Sequence, residues 1–258
     1  MLSARQKWLV TVNQLPNPRL RLFCFPYSGG AAHIFSKWPQ RLPHDIEVVA
    51  IQPPGRSSRF TEPLLSNIQP MVEGAFDAIR TKLDRPFALF GHSVGGAVAF
   101  EICRKMEAEG LFPEVLIPSG RNAPHVKMKK KQLHLLSEAE FTEEIKTFNG
   151  TPEAVLENPE LMELMIPILK ADFTISETYV YQAGPKLQTP IRAIGGQTDT
   201  HVKSEGIEGW QQYTRGLFQS NIVEGDHFFI HGEATEFFET LNCYLDFSNH
   251  DPFESGDI

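Results

Sequence analysis

The stretch Pro86-Phe87-Ala88-Leu89-Phe90-Gly91-His92-Ser93-Val94-Gly95-Gly96 decides how this chain is read. Its centre, Gly91 to Gly95, has the Gly-x-Ser-x-Gly spacing of a sharp strand-to-helix turn that exposes a nucleophilic serine. The pentapeptide gains meaning from its flanks. The apolar run from Pro86 to Phe90 predicts a short strand buried on both faces. Beyond the turn, Val94, Val98, Ile102 and Met106 recur at helical spacing until Gly110, a helix stop. Such a turn forces the serine into a strained backbone conformation, and small residues at Gly91, Gly95 and Gly96 let neighbouring elements come close.

Working outward, five apolar runs predict strands of a mostly parallel sheet: Leu20 to Phe25, Val48 to Ile51, Phe87 to Phe90, Val115 to Ile117 and Ile191 to Ile194. A sixth is expected at Asn221 to Val223. Helix-sized segments such as Ile68 to Leu83 and Val94 to Glu109 lie between them, and that alternation gives an α/β fold. The first strand runs into Pro26-Tyr27-Ser28-Gly29-Gly30 and the second into Pro53-Pro54-Gly55-Arg56. These turn-forming loops belong at the sheet edge where Ser93 emerges, the edge at which open α/β sheets place ligands.

From about 126 to 181 no strand pattern occurs, far longer than an ordinary α/β connection, so a helical insertion is expected within one domain spanning 1–258. Ser137 with Glu140 has the capping-box spacing, Asn149-Gly150 closes that helix, and Asn158-Pro159 opens another. Pro167 is expected to kink or split the second helix. A methionine-bearing helix beside a nucleophile suggests a pliable lid, with Met162 and Met165 read as core or as pocket lining.

A serine hydroxyl needs a histidine to take its proton and a carboxylate to orient that histidine. In this architecture the order along the chain is Ser, acid, His, each on a loop after a strand. Asp199, after Ile191 to Ile194 and Gly195-Gly196, is the expected acid, with Asp172 and Asp226 as rivals. His227, after Asn221 to Val223, is the expected base. Of the other histidines, His92 is expected to pack rather than react, His231 to start the last helix, and His201 to lie too near Asp199 in sequence to partner it. His33, His44, His125, His134 and His250 lack a strand-end position. A tetrahedral oxyanion needs two N–H donors; Val94, after the nucleophile, supplies one, and Ser28, with Tyr27 second, supplies the other.

Composition narrows the class. With 258 residues, 41% hydrophobic and 22% charged, the chain can bury a large core. A formal charge of −8 argues against a nucleic-acid binder. Cys24, Cys103 and Cys243 are far apart without metal-ligand spacing and read as buried thiols of a reducing compartment. The start lacks a signal-peptide pattern and no run is long enough to cross a membrane, so a cytoplasmic location is expected. The tail from Asn249 is expected to fray.

Taken together, Leu22 to Gly30, Pro54-Gly55-Arg56, Gly91-His92-Ser93, Trp210 and His227-Phe228-Phe229 resemble the type II thioesterases of polyketide synthases and non-ribosomal peptide synthetases. The resemblance runs from about Arg19 to about Tyr244. It implies an α/β-hydrolase fold, a mostly parallel sheet flanked by helices with a helical lid. It further implies a cofactor-free, metal-free monomer that hydrolyses acyl thioesters on the phosphopantetheine arm of acyl or peptidyl carrier proteins, clearing stalled or misprimed units. The implied triad falls on Ser93, Asp199 and His227, and the oxyanion donors on Ser28 and Val94.

Three positions depart from the family's usual pattern: Val94 where Met is common, Ser28 where Ala is common, and Asp226 where Gly is frequent. Both oxyanion donors are backbone groups, so those two changes alter the shape of the acyl site rather than its donors. Asp226 is expected either to raise the basicity of His227 or to bond its own loop. A medium-chain fatty acyl carrier-protein hydrolase, a general carboxylesterase and a non-catalytic scaffold remain alternatives. The basic run Lys127-Met128-Lys129-Lys130-Lys131 stands against the acidic whole as a docking patch for an acidic carrier protein or as a solvated lid edge.

Overall fold

The computed structural model describes residues 5–126, 131–148, 150, 153–231 and 235–247. Its centre is a seven-stranded sheet ordered β1-β3-β2-β4-β5-β6-β7. The strands are β1 (Leu9–Thr11), β2 (Leu20–Phe25), β3 (Ile46–Ile51), β4 (Phe87–His92), β5 (Leu116–Ser119), β6 (Ile191–Gly196) and β7 (Phe218–Val223). Only β1 is antiparallel, pairing Leu9 with Ile51 at the sheet edge. The other pairings are parallel, including the central register Phe25↔Gly91 and Gly91↔Pro118.

The strand sequences explain the layering. Every residue of β2, β3 and β4 is buried, as expected where both faces are covered, and successive side chains serve opposite faces. Phe23, Phe25 and Leu89 pack towards helices α1 (Ile68–Ile79) and α2 (Val94–Ala108). Leu22, Cys24 and Phe90 pack on the other side with Phe35, Trp38 and helix α7 (Thr235–Tyr244). The result is the mostly parallel, helix-flanked sheet of an α/β hydrolase.

Helices α3 (Glu138–Lys146), α4 (Glu153–Leu156) and α5 (Pro159–Thr178) occupy the stretch between β5 and β6, and α6 (Ser204–Glu208) follows β6. The Ser137 and Glu140 capping box is formed at α3, and Asn158 caps α5 through its side chain. The inserted helices carry a small core of their own, including Leu133, Phe141, Ile145 and Leu169.

Four expectations need correction. Helix α5 is not split at Pro167 but runs through it to Thr178. Its apolar face, with Ile168, Leu169, Ala171 and Ile175 buried, outweighs the lost backbone bond. Helix α3 ends at Lys146, before Asn149-Gly150, and Asn149 lies outside the described residues. Cys243 is exposed on α7, whereas Cys24 and Cys103 are buried. Strand β1 was not anticipated, because three residues are too short to show a period. Residues 127–130 and the tail from 248, with His250, lie outside the described residues.

Candidate active site

Ser93 stands between β4 and α2 with φ 55° and ψ −119°, a conformation few non-glycine residues adopt. Two features of the local sequence make it accessible. A Cβ on Gly91 would lie 2.2 Å from the Gly95 carbonyl oxygen, and one on Gly95 would lie 2.4 Å from that of Phe25. Only glycine at both positions lets the first turn of α2 press against the ends of β2 and β4. The Ser93 amide in turn donates to the Ser119 carbonyl at the end of β5 (2.8 Å).

The loops after β6 and β7 bring two further groups to the same edge. His227 Nε2 lies 3.0 Å from Ser93 Oγ, and His227 Nδ1 lies 2.6 Å from Asp199 Oδ2. The Asp199 carboxylate is fully shielded, and its Oδ1 accepts the amides of His201 (2.7 Å) and Val202 (3.1 Å). Burial pushes this carboxyl up, but the His227 bond and charge together with those two amides outweigh it and hold Asp199 below its ordinary value. It is therefore ionised at neutral pH and oriented to accept from Nδ1–H, which leaves the Nε2 lone pair facing the serine hydroxyl.

The rival acids do other work. Asp172, on α5, is bound by the Arg56 guanidinium (2.5 and 2.8 Å) and accepts the Gly29 amide (2.7 Å). Asp226 accepts the Phe228 amide at 2.8 Å, bonding its own loop.

His92 is wholly buried between Ser119 Oγ (2.9 Å at Nδ1) and the His227 carbonyl oxygen (2.7 Å at Nε2). Its burial, with the nearby His227 charge, puts its pKa well below the ordinary imidazole value, so Nε2–H donates and the ring stays neutral. His92 thus holds the backbone of the His227 loop, a role its neighbouring position in sequence does not reveal. His231 Nε2 and the Tyr27 hydroxyl are hydrogen-bonded (2.7 Å), and burial pushes that phenol up to about 12. His201 stacks on Phe148 with ring centroids 4.2 Å apart and meets the His227 ring edge-on. His134 pairs with Glu177 and His125 bonds Tyr213 (3.1 Å). His33 and His44 do not line the cavity beside Ser93.

That cavity measures about 720 Å³ and is lined by Ser93, His227 and Ser28 among others, a volume suited to a small organic ligand. Leu133, Ile145, Phe148, Leu169 and Phe173 give it an apolar wall, while Arg121, His125, Ser176 and Tyr181 add polar groups. Met162 and Met165 are not among its lining residues; Leu169 and Phe173, further along α5, take that place. Among the described residues no acceptor is bonded to the amide of Ser28 or of Val94. Sequence reading missed Arg121 and the pairing of Arg56 with Asp172, although an acid among Ile168, Leu169, Ala171 and Ile175 on one helix face was a signal of a buried partner.

With this geometry in view, comparisons with known proteins are specific. The thioesterase domain family matches residues 20–244. Gramicidin S biosynthesis protein GrsT of Aneurinibacillus migulanus is 38% identical, covering 93% of this chain and 94% of that protein. Linear gramicidin dehydrogenase LgrE of Brevibacillus parabrevis is also 38% identical, over the same shares. The structure of the type II thioesterase BorB from the borrelidin biosynthetic cluster superposes with a TM-score of 0.85 at 32% identity, covering 93% of this chain and 98% of that one. The LgrE name denotes a redox activity, yet this chain contains no Gly-x-Gly with which a dinucleotide-binding loop approaches a pyrophosphate. Matched along 225 of its 258 positions, the chain belongs to the thioesterase family and is a thioester hydrolase.

Proposed function

We propose that Ser93, His227 and Asp199 form the catalytic triad of a type II thioesterase that clears acyl groups from the phosphopantetheine arms of acyl or peptidyl carrier proteins. The observation that carries this reading is the continuous relay from Asp199 Oδ2 through His227 to Ser93 Oγ at the mouth of an acyl-sized cavity. Ser93 Oγ attacks the thioester carbonyl while His227 Nε2 takes its proton. The amides of Ser28 and Val94 receive the oxyanion. The pantetheine sulfur then leaves, taking the proton back from His227 and generating an acyl-Ser93 ester. Water, deprotonated by His227, attacks that ester and releases the carboxylic acid and free Ser93. A thiol of pKa near 8.5 departs with less acid assistance than an amine needs, which favours thioesters over amides, and the choice between thioester and oxygen ester is left to the test below.

In this reading α3 to α5 are the lid of a single domain, and the protein acts as a cytoplasmic monomer. No helix among the described residues is long and apolar enough to cross a membrane. Lys131, the described end of the basic run, pairs with Glu144 at 2.6 Å and lines the cavity, consistent with a carrier protein approaching from that side.

The test is a matched pair of ester and thioester substrates together with fluorophosphonate labelling. Wild type is expected to label at Ser93 and to favour the thioester; Ser93→Ala is expected to lose both labelling and turnover. Equal rates on ester and thioester would support a general carboxylesterase, a sharp optimum at medium chain lengths a fatty acyl hydrolase, and absence of labelling a non-catalytic scaffold.

A further inference from the structure

Of the Arg, Lys, Asp and Glu side chains lining the Ser93 cavity, all but one are matched by an opposite charge or a set of hydrogen bonds. Lys131 is paired with Glu144. Glu177 accepts the amides of Leu133 (3.0 Å) and His134 (3.1 Å) and the His134 ring. The exception is Arg121, on the loop after β5. Its Nη1 donates to the Ser176 hydroxyl on α5 at 2.7 Å, and among the described residues no carboxylate pairs with its guanidinium. Glu101, on α2, is already committed to Arg104 (2.9 Å) and to the Tyr179 hydroxyl (2.5 Å).

Arg121 is also fixed in place rather than waving into solvent. Its carbonyl accepts from Trp210 Nε1 (2.7 Å), and its stem packs over Gly96, where an added Cβ would stand 3.2 Å from Arg121 Cβ. Gly96 lies in the first turn of α2, three positions from Ser93, so the base of the Arg121 side chain is anchored beside the elbow while its guanidinium reaches Ser176 on α5. Burial lowers its pKa without removing its charge. A guanidinium has five N–H donors, and the partly buried Arg121 has a neutral hydroxyl rather than a carboxylate as its side-chain partner, which leaves donors for an acceptor entering the cavity.

We propose that Arg121 selects acyl groups carrying an oxygen acceptor along the chain, a carbonyl or a carboxylate, over plain alkyl acyl groups of equal length. This rests on the reading of Ser93 as the acyl-accepting nucleophile, because the acyl chain then occupies the cavity that Ser93 and Arg121 share. The apolar residues lining the same cavity accommodate the methylene part of such a chain, while Arg121 and Ser176 meet its oxygen. An alkyl chain would desolvate the guanidinium further and return nothing.

The experiment compares hexanoyl, 5-oxohexanoyl and glutaryl thioesters of pantetheine. Binding is measured by calorimetry in the Ser93→Ala background, and kcat/KM in the parent enzyme. The expected result is about tenfold or greater preference for one or both oxygen-bearing groups, in the range of hydrogen bonds to a charged group. That ratio should collapse in Arg121→Gln and be partly restored in Arg121→Lys. A carboxylate preference alone identifies an acidic acyl group, and a preference shared with the ketone identifies an oxo-acyl group. Equal affinity for all three chains, or a ratio unchanged by Arg121→Gln, would overturn the proposal. Binding in the Ser93→Ala protein is independent of turnover, so failure to hydrolyse any thioester would count against the function of Ser93 while leaving the Arg121 selectivity to be read separately.

Discussion

At the level of single residues, Asp199 and His92 hold His227 at two separate points. Asp199 fixes the ring by its Nδ1 bond, and His92 fixes the backbone by bonding the His227 carbonyl oxygen. Replacing Asp199 by Asn keeps the shape but favours the wrong tautomer, so kcat is expected to fall by about 10³ to 10⁴ with the fold intact, checked by steady-state kinetics and circular dichroism. His92 makes a different prediction. Its folded pKa lies well below the unfolded value of about 6.5. As pH falls below about 6.5 the unfolded chain binds a proton at His92 that the folded chain refuses, so stability is full above that pH and declines below it, by up to about 1.4 kcal/mol per pH unit for this group. Denaturant unfolding at pH 7 and pH 5 should show this loss, and His92→Gln should flatten the slope; an unchanged slope would assign it elsewhere. The serine, base and acid of the site were legible because each follows a strand end. His92 was not legible as a support, because what it bonds is a backbone carbonyl 135 positions away.

At the level of elements, the ion pair of Arg56 and Asp172 ties three pieces of chain together. Asp172 belongs to α5, Arg56 to the loop after β3, and both grip the loop after β2 through the Gly29 amide and the Gly30 carbonyl (3.2 Å). Ser28, the proposed oxyanion donor, is the neighbour of Gly29. Asp172→Ala would strand a buried guanidinium and is expected to cost about 3–5 kcal/mol, read as a lower denaturation midpoint. The paired change Arg56→Met with Asp172→Leu is expected to recover most of that stability while kcat stays depressed, since the loop would lose its anchor. Recovery of both would show the pair to be purely structural. Which strands form was legible wherever both faces are buried: β2 was delimited correctly at Leu20 and Phe25. The elements at the sheet's edges were harder. Strand β7 begins at Phe218, three residues earlier than expected, because its exposed positions carry Gln219 and Asn221 and weaken the apolar signal. Pro167 is a related case: its local breaking propensity carries no information about the packing that holds α5 together.

At the level of the whole molecule, an acidic chain of net charge −8 carries four of its lysines within residues 127–131. If that run meets an acidic carrier protein, reversing Lys127, Lys129 and Lys130 to Glu should reduce kcat/KM for acyl carrier proteins at low salt by about tenfold while changing small acyl thioesters far less, and the difference should shrink as salt rises. Equal loss on both substrates would point to damage to the fold. The larger question is whether the relay at Ser93 removes acyl groups from carrier proteins at all, and intact-mass spectrometry answers it most directly. Carrier proteins loaded with a defined acyl group are incubated with wild type or with Ser93→Ala. Wild type is predicted to return the carrier to its free-thiol mass through a transient acyl adduct on the enzyme, and Ser93→Ala to leave the acyl mass in place with no adduct. Clearance by Ser93→Ala at the wild-type rate would contradict the assignment.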